Sequence, residues 1–526
     1  MKHFENQTNN LEATVNRVFM EKAEALKPVL IETKTAPVNL FDVKKDHEGN
    51  WYSEKEAPFS ALREKVLLQH DTVYLDFGGH QVGYLTLRIA PVGCPADSPV
   101  HLRLRFGETL CEIMESPEEY HGWLSESWIQ DEQIHVDAIP VAYHLPRRYA
   151  FRYCSIEVLN STAKYQVQIE DVFCTQVTSA DMKKVPALNC KDPQLQKIDA
   201  VGIHTLRDCM QSVFEDGPKR DRRLWLGDLR LQALANYATF KNYDLVRRCL
   251  YLFAGMTGAD GRVSACQYVE PEYMLGDNVL YDYSLFFIAC LYDYYQETHD
   301  DSFVRELWGV AWRQMELSLE RLDSRSLVKD SDDWWCFLDW GDGLNKQAGA
   351  QAILIYTLRM AKVLAALVGT CEQKKIIVQA IQTTEKAAID FLWDTNLGLF
   401  VSGAERQVSS VSQIWMVLAR VMPDDQNRQL CERVLKKETG IPLVTPYMYH
   451  YFIEAMLQCH MKTQAVRLIK NYWGGMIRNG ADTYWEIYDP QNPEFSPYGS
   501  PMVNSYCHAW SCTPTYFIRK YFQDGE

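Results

Sequence analysis

The strongest constraint on this chain is a single change of hydrophobic period near residue 190. Before it, apolar and polar residues alternate along Thr72 to Phe77, Gly83 to Ala90, Val100 to Phe106, Ala150 to Leu159 and Tyr165 to Thr175, the repeat of strands with one buried face. Phe77-Gly78-Gly79 and the segment Pro91 to Pro99 punctuate them. After it, Asp192-Pro193 supplies an N-cap acid and a first-turn proline, and Leu195, Ile198, Val201, Leu206, Met210 and Val213 follow at helical spacing. A chain that switches once in this way reads as a β-sandwich over residues 61–188 followed by a helical domain over 189–526. Residues 1–60 form an N-terminal extension, helical near 10 to 27, that leads into the sandwich.

Twelve candidate helices fit between 193 and 523, the last over 505–523, joined alternately by short turns and long aromatic loops. Six helical hairpins of this kind suggest an (α/α)6 barrel. Ser284 to Leu291 and Ala350 to Leu367 are apolar nearly all round, as expected of inner helices packed on both sides.

Composition narrows the class of partner. With 526 residues, 47% apolar and 23% charged, the chain can bury two cores, and no run of 18 or more apolar residues is available to span a membrane. The opening MKHFENQTNN lacks the basic patch, apolar stretch and cleavage site of a secretory signal. The 15 cysteines are odd in number and scattered, without a CxxC pair, so a reducing cytoplasm with free thiols is the simpler expectation. A net charge of −15 with no basic stripe disfavours nucleic acid and anionic membranes. The expected partner is a neutral molecule. A flat sandwich edge leaves a homodimer possible.

No GxxxxGK[ST], GxGxxG after a strand, HExxH or GxSxG occurs, which removes the commonest nucleotide, metalloprotease and serine-hydrolase readings. No cofactor and no metal are expected, since no His/Cys cluster has ligand spacing. Carboxylates remain. One group lies between two candidate helices, in Phe214-Glu-Asp-Gly-Pro-Lys-Arg-Asp-Arg-Arg-Leu-Trp-Leu-Gly-Asp228, where Asp216, Asp221 and Asp228 stand among Arg220, Arg222, Arg223 and Trp225. A solvated loop with surface ion pairs is the ordinary account of such a run; Gly, Pro and Trp argue against it here. The other group is Gly480-Ala-Asp-Thr-Tyr-Trp-Glu486, followed by Ser505-Tyr-Cys-His-Ala-Trp510. Hydrolysis of a glycoside needs one acid to protonate the leaving oxygen and a second carboxylate to activate water or attack the sugar. First and last hairpins of a closed barrel are neighbours, so Asp221 and Glu486 can share one cavity. Several of the 14 Trp lie beside acids in loops, the arrangement in which sugar faces stack on rings while hydroxyls bond to carboxylates.

At these residues the sequence resembles glycoside hydrolase family 78, the α-L-rhamnosidases. Asp216-Gly-Pro-Lys-Arg-Asp221, Trp225 and Gly227-Asp228 follow the family's Asp-Cys-Pro-x-Arg-Glu, Trp, Gly-Asp pattern, and Gly480 to Glu486 with Ser505 to His508 follow its second signature. Leu75-Asp-Phe-Gly-Gly-His80, Arg105-Phe-Gly-Glu108 and Phe151-Arg-Tyr153 look like the family's preceding β-sandwich. The resemblance implies release of terminal α-L-rhamnose from a rhamnose-containing glycoside by an inverting mechanism, with Asp221 as general acid and Glu486 as general base. It further implies sugar contacts from Asp216 and Asp228. The candidate contact set is completed by Arg220, Trp225, Trp335, Asp339, Trp340, Trp485 and His508. Two departures stand out: Gly217 replaces the family's Cys, and Asp221 its Glu. Arg222 beside Asp221 adds a charge that would favour the ionised acid. A carbohydrate-binding protein with a decayed site, or a related barrel glycosidase acting on α-L-fucose or a uronide, remains the alternative.

Overall fold

Strand Thr72–Val92 organises the N-terminal region because it serves two sets of neighbours. Its first half pairs antiparallel with Tyr149–Asn160, in register Tyr153↔Asp76, and its second half with Gln166–Thr178, in register Gln176↔Gly83. Val100–Gly107 lies between Tyr149–Asn160 and Gln130–Val136. Alternate residues of these strands, among them Leu75, Leu87, Leu102, Leu104, Ile156 and Ile169, are buried in one apolar core, as the period of two requires. The structure, a computed structural model, describes residues 12–47 and 49–524, and of Asp332 the backbone alone.

The segment set apart as an extension is divided between the two regions. Strands Ile31–Thr35, Asn39–Lys45 and Trp51–Pro58 are hydrogen-bonded into the same sheet. Ala13–Val15 instead pairs with Met256–Gly258 of the helical region, and helix α1 (Arg17–Ala25) packs on one of its helices. Residues 10 and 11 of the expected first helix lie outside the described residues. Helix α2 (Leu110–Met114) projects from the end of strand Val100–Gly107.

The helical region runs through α3 (Pro193–Cys209), α4 (Leu226–Ala238), α5 (Tyr243–Gly255), α6 (Tyr281–Thr298), α7 (Asp301–Glu320), α8 (Gln347–Val368), α9 (Cys371–Ala387), α10 (Ser410–Leu418), α11 (Asp424–Leu435), α12 (Pro446–Gln458), α13 (Lys462–Arg478) and α14 (Pro514–Tyr521). Even-numbered helices pack each on the next from α4 to α12, and α14 with the turn Ala509–Ser511 returns to α4. Odd-numbered helices lie against them. Helices α4, α6 and α8 are buried over most of their length, as their composition requires. Phe286, Tyr356, Trp415 and Tyr451 from four of these helices stack at centroid distances of 4.2 to 6.0 Å, filling the space between them. Removing one such ring costs about 3–5 kcal/mol.

Two expectations change. Helix α8 is long and apolar enough by length and composition to cross a membrane, although no run of that kind was read from the sequence; it packs against α6, α7, α9 and α10. The last helix starts at Pro514 rather than near 505. Proline suits a first helical turn and breaks an interior one. Residues 505–509 are irregular because their backbone is engaged elsewhere: Glu486 N–H donates to Ser505 O at 2.9 Å, His508 N–H to Tyr484 O at 2.8 Å and Ala509 N–H to Asp216 O at 3.0 Å.

Candidate active site

The N-terminal ends of α4 and α6 and the loops before α4, α6, α8 and α14 converge on a cavity of about 250 Å3. Asp228 stands in the first turn of α4 and Asp282 in that of α6, where aligned peptide dipoles favour negative charge. Asp282 does not line the cavity; it accepts the N–H groups of Phe337 at 3.0 Å and Leu338 at 2.9 Å, which fixes the loop carrying Phe337 and Trp340 into it. Gly227 permits the α4–α6 approach, since a Cβ there would lie 2.4 Å from the Tyr283 ring.

Asp216, Arg220, Asp221, Trp225, Asp228, Trp340, Glu486 and His508 all line this one cavity. Glu486 is buried and both its oxygens are engaged: Tyr498 Oη donates to Oε1 and Arg220 Nη2 to Oε2. Arg220 Nη1 lies 3.6 Å from Asp221 Oδ1, so one guanidinium borders both carboxylates. Burial works against its charge, but Glu486, Tyr498 and Asp221 carry its pKa well above the usual value. Its Cζ lies over the Tyr498 ring, 4.4 Å from the centroid. Asp221 is the most exposed of these acids, at 21% of its side chain.

The other two acids are buried. Asp216 Oδ1 accepts the Arg223 N–H at 3.0 Å, and burial, then the neighbouring charges of Asp221 and Asp228, push its carboxyl well above the usual range. Asp228 Oδ1 lies 3.1 Å from His508 Nε2; burial raises its pKa and His508 opposes the rise. The cation against Asp221 is Arg220, not the adjacent Arg222, which turns its Nη2 to the Arg148 carbonyl at 3.0 Å. Burial and the Arg148 charge lower the Arg222 pKa to about 10.

Three expected contacts sit elsewhere. Asp339 accepts the N–H groups of Trp340, Val444 and Thr445 at 2.9, 2.9 and 3.1 Å and the Thr445 hydroxyl at 2.7 Å, a commitment to loop structure that takes it out of the cavity. With Trp335 it lines a neighbouring cavity of about 430 Å3. Trp485 is buried behind Glu486 between the rings of Tyr488 and Tyr506. Conversely, the wall includes Tyr283, Tyr498 and Trp510, and the sheet region contributes Trp123, Leu124 and Trp128. Trp123 is held there by N–H bonds to Tyr498 O at 3.0 Å and from Nε1 to Pro497 O at 2.9 Å. Its distance in sequence from the carboxylates left no signal to find it.

Among the described residues, one set of metal-type donors comes together: His80, Asp208 and Cys507, with ligand atoms within 4.8 Å of one another. Both His80 nitrogens already face carboxylates, Nδ1 at 2.7 Å from Asp208 and Nε2 at 3.0 Å from Glu108, so the group is an ion-pair network. All fifteen cysteines are unpaired.

Residues 37–176 match the glycosyl hydrolase family 78 alpha-rhamnosidase N-terminal domain, and residues 183–522 the bacterial alpha-L-rhamnosidase 6 hairpin glycosidase domain. The chain belongs to glycoside hydrolase family 78. A rhamnosidase from Klebsiella oxytoca, solved with rhamnose bound, is 48% identical over 97% of this chain and 100% of its own, with a TM-score of 0.95. The fold also matches a family 78 rhamnosidase of Bacillus sp. GL1, at 22% identity and TM-score 0.75 over 90% of this chain and 50% of its own. An α-L-rhamnosidase of Streptomyces avermitilis, complexed with L-rhamnose, matches at 16% identity and TM-score 0.66 over 94% and 44%. The chain thus spans about half the length of these last two relatives. No curated protein sequence matches it.

Family 78 membership makes the chain a glycoside hydrolase and gives its departures a physical reading. A Cβ at position 217 would lie 2.6 Å from Ser505 Oγ and 3.2 Å from the carbonyls of Arg220 and Cys507. A side chain at this turn would therefore require the Ser505 hydroxyl to move and the two carbonyls to give by a few tenths of an ångström. Asp221 and Arg222 have φ of +64° and +54°, a conformation that costs a non-glycine residue about 1–2 kcal/mol and is held only by its surroundings.

Proposed function

We propose that the protein is an exo-acting α-L-rhamnosidase with inverting stereochemistry, built as a β-sandwich and an (α/α)6 barrel, with Asp221 as general acid and Glu486 as general base. The observation that carries this is the shared guanidinium: Arg220 borders both carboxylates at one cavity wall. The rhamnose-bound Klebsiella relative supports the sugar, and the return of α14 to α4 supports the closed barrel.

In this reading Glu486, with both oxygens oriented, takes a proton from a water that attacks the anomeric carbon. Asp221 gives its proton to the glycosidic oxygen as that bond breaks, and the products are β-L-rhamnose and the free aglycone alcohol. An inverting site leaves about 6.5–9.5 Å between carboxyls for sugar and water, and a guanidinium that borders both is a spacer suited to such a gap. Asp216, its carboxyl raised by burial and by its acidic neighbours, serves as a hydrogen-bond donor to a sugar hydroxyl, while Asp228 with His508 serves another. Trp225, Trp340 and Trp510 enclose the apolar sugar face.

The purified protein offered a panel of p-nitrophenyl glycosides should turn over the α-L-rhamnoside far faster than the α-L-fucoside or β-D-glucoside. NMR of the first-formed sugar should show the β anomer. Preference for another glycoside overturns the substrate, and an α product overturns inversion.

A further inference from the structure

Lys219 stands two residues before Asp221 and is buried, a place where an ammonium persists only among acceptors. Those acceptors come largely from the sheet region. Nζ donates to Glu112 Oε2 at 2.9 Å, lies 3.3 Å from Glu108 Oε2 and also donates to the Asn504 carbonyl. Glu112 is itself fixed, since its Oε1 accepts the N–H groups of Glu108 and Thr109 at 3.1 Å each at the start of α2.

Glu108 reaches further. Besides Lys219, its Oε2 accepts the Tyr506 N–H at 2.7 Å, and its Oε1 lies 3.0 Å from His80 Nε2. His80 connects through Nδ1 to Asp208 at the end of α3, at 2.7 Å. One buried carboxylate therefore binds both halves of the catalytic centre: the turn that ends in Asp221, and the segment that pairs with the Glu486 backbone at Ser505 and delivers His508. The turn needs such support, because Asp221 and Arg222 both hold positive φ.

We propose that Glu108 and Glu112, acting through Lys219, are positioning residues for Asp221, so that the sheet domain is part of the catalytic apparatus. This rests on Asp221 as the acid and Glu486 as the base. Neither glutamate lines the cavity; they set where the turn places Asp221. A displacement near 1 Å costs a catalytic group about 10²-fold, so weakening the tie should be felt in the proton transfer before it is felt in sugar binding.

The test compares two substrates, a rhamnosyl disaccharide with a poor leaving group and p-nitrophenyl α-L-rhamnoside. Glu108→Gln keeps the shape and removes the charge facing Lys219 and His80. It should lower kcat on the disaccharide by about 10- to 100-fold, lower kcat on the aryl rhamnoside less, and leave KM for both nearly unchanged. In an Asp221→Asn background it should add no further loss on the disaccharide, because the two changes disable one function. Glu112→Gln gives the same pattern more weakly and serves if the first variant does not fold; burial pushes the Glu112 carboxyl up to about 7, so the neutral amide is close to a state the wild type visits. Equal loss on both substrates, or a loss that multiplies with that of Asp221→Asn, overturns the proposal. If Asp221→Asn alone leaves disaccharide hydrolysis intact, the acid assignment falls and this inference with it; an equal loss in Glu108→Gln beside a crippled Asp221→Asn overturns the inference alone.

Discussion

Arg220 donates through Nη2 to Glu486 Oε2 with both side chains buried. A guanidinium is planar, permanently charged and forked, so the same group that engages Glu486 also stands 3.6 Å from Asp221 and over the Tyr498 ring. Its Nε is anchored to the Val503 carbonyl at 2.9 Å. The carboxylate proposed as base is thus aimed by two donors, and one rigid group borders both acids.

Replacing that fork by a point charge should therefore be costly. In Arg220→Lys an ammonium cannot reach both acids and the Val503 carbonyl together. Loss of one charge-assisted hydrogen bond is worth about 1.5–3 kcal/mol, or about 10- to 100-fold in rate. Steady-state kinetics on p-nitrophenyl α-L-rhamnoside should show kcat reduced by that factor; a variant of wild-type rate would mean that the bridge is structural only.

A second expectation concerns Asp216. Burial, then repulsion from Asp221 and Asp228, raises its carboxyl in the folded state, whereas in the unfolded chain it titrates near 3.9. The folded protein holds this proton more tightly, so the associated stability is present in full below about pH 3.9 and is lost as pH rises through the higher folded value. Asparagine does not titrate and keeps the Oδ1 acceptor for the Arg223 N–H. The melting temperature of Asp216→Asn relative to wild type should accordingly increase from acidic to neutral pH, while rhamnoside hydrolysis falls. A difference in melting temperature that is flat or declines with pH would show that Asp216 carries no such penalty.

These residues were legible to different degrees, for physical reasons. The period switch placed strands and helices because alternation and helical spacing are imposed by burial itself, although the last helix, expected over 505–523, begins only at Pro514. The charged turn 216–228 and the Trp485-Glu486 stretch stood out because charge density beside Gly, Pro and Trp is hard to explain by packing. Asp339 misled because an acid beside tryptophan has the same appearance whether it faces a cavity or, as here, caps backbone N–H groups of Val444 and Thr445. Trp123 was invisible because docking of the sheet region leaves no local pattern, and Tyr498 because a tyrosine in an irregular loop carries no sign of the carboxylate it faces. Glu108 stood out only within the sheet motif Arg105-Phe-Gly-Glu108, and its link to the site was hidden because its partners Lys219 and Tyr506 lie 111 and 398 residues away.

Trp123 gives a third expectation, about the leaving group. It is 40% exposed although its ring packs at 5.5 Å on Tyr498 and its polar atoms are bonded, so one face is left open at the cavity mouth. Truncation to alanine removes apolar surface worth roughly 1–3 kcal/mol from any flat aglycone lying there. Trp123→Ala should raise KM for rhamnosides of large aromatic alcohols more than for methyl α-L-rhamnoside. A uniform change across the series would place the aglycone elsewhere, for instance beside Trp335 and Trp340.

The last expectation separates the two carboxylates by the demand their substrates make. A general acid matters in proportion to how badly the leaving oxygen needs a proton, whereas a base that activates water matters for every substrate. Asp221→Asn should nearly abolish hydrolysis of rhamnosyl disaccharides and spare more of the activity on p-nitrophenyl α-L-rhamnoside, whose phenolate departs with little protonic help. Glu486→Gln should slow both alike, and because the amide oxygen can still accept from Arg220 while its NH2 donates to the Tyr498 oxygen, rhamnose binding measured by calorimetry should survive it. Added azide sharpens the contrast: a small nucleophile that needs no deprotonation can replace the water in Glu486→Gln, restoring turnover of the aryl substrate with formation of the β-glycosyl azide, and should not restore disaccharide cleavage in Asp221→Asn. Rescue in Asp221→Asn on the poor leaving group, or equal sensitivity of both variants to leaving-group pKa, would show that the acid and the base have been assigned to the wrong residues.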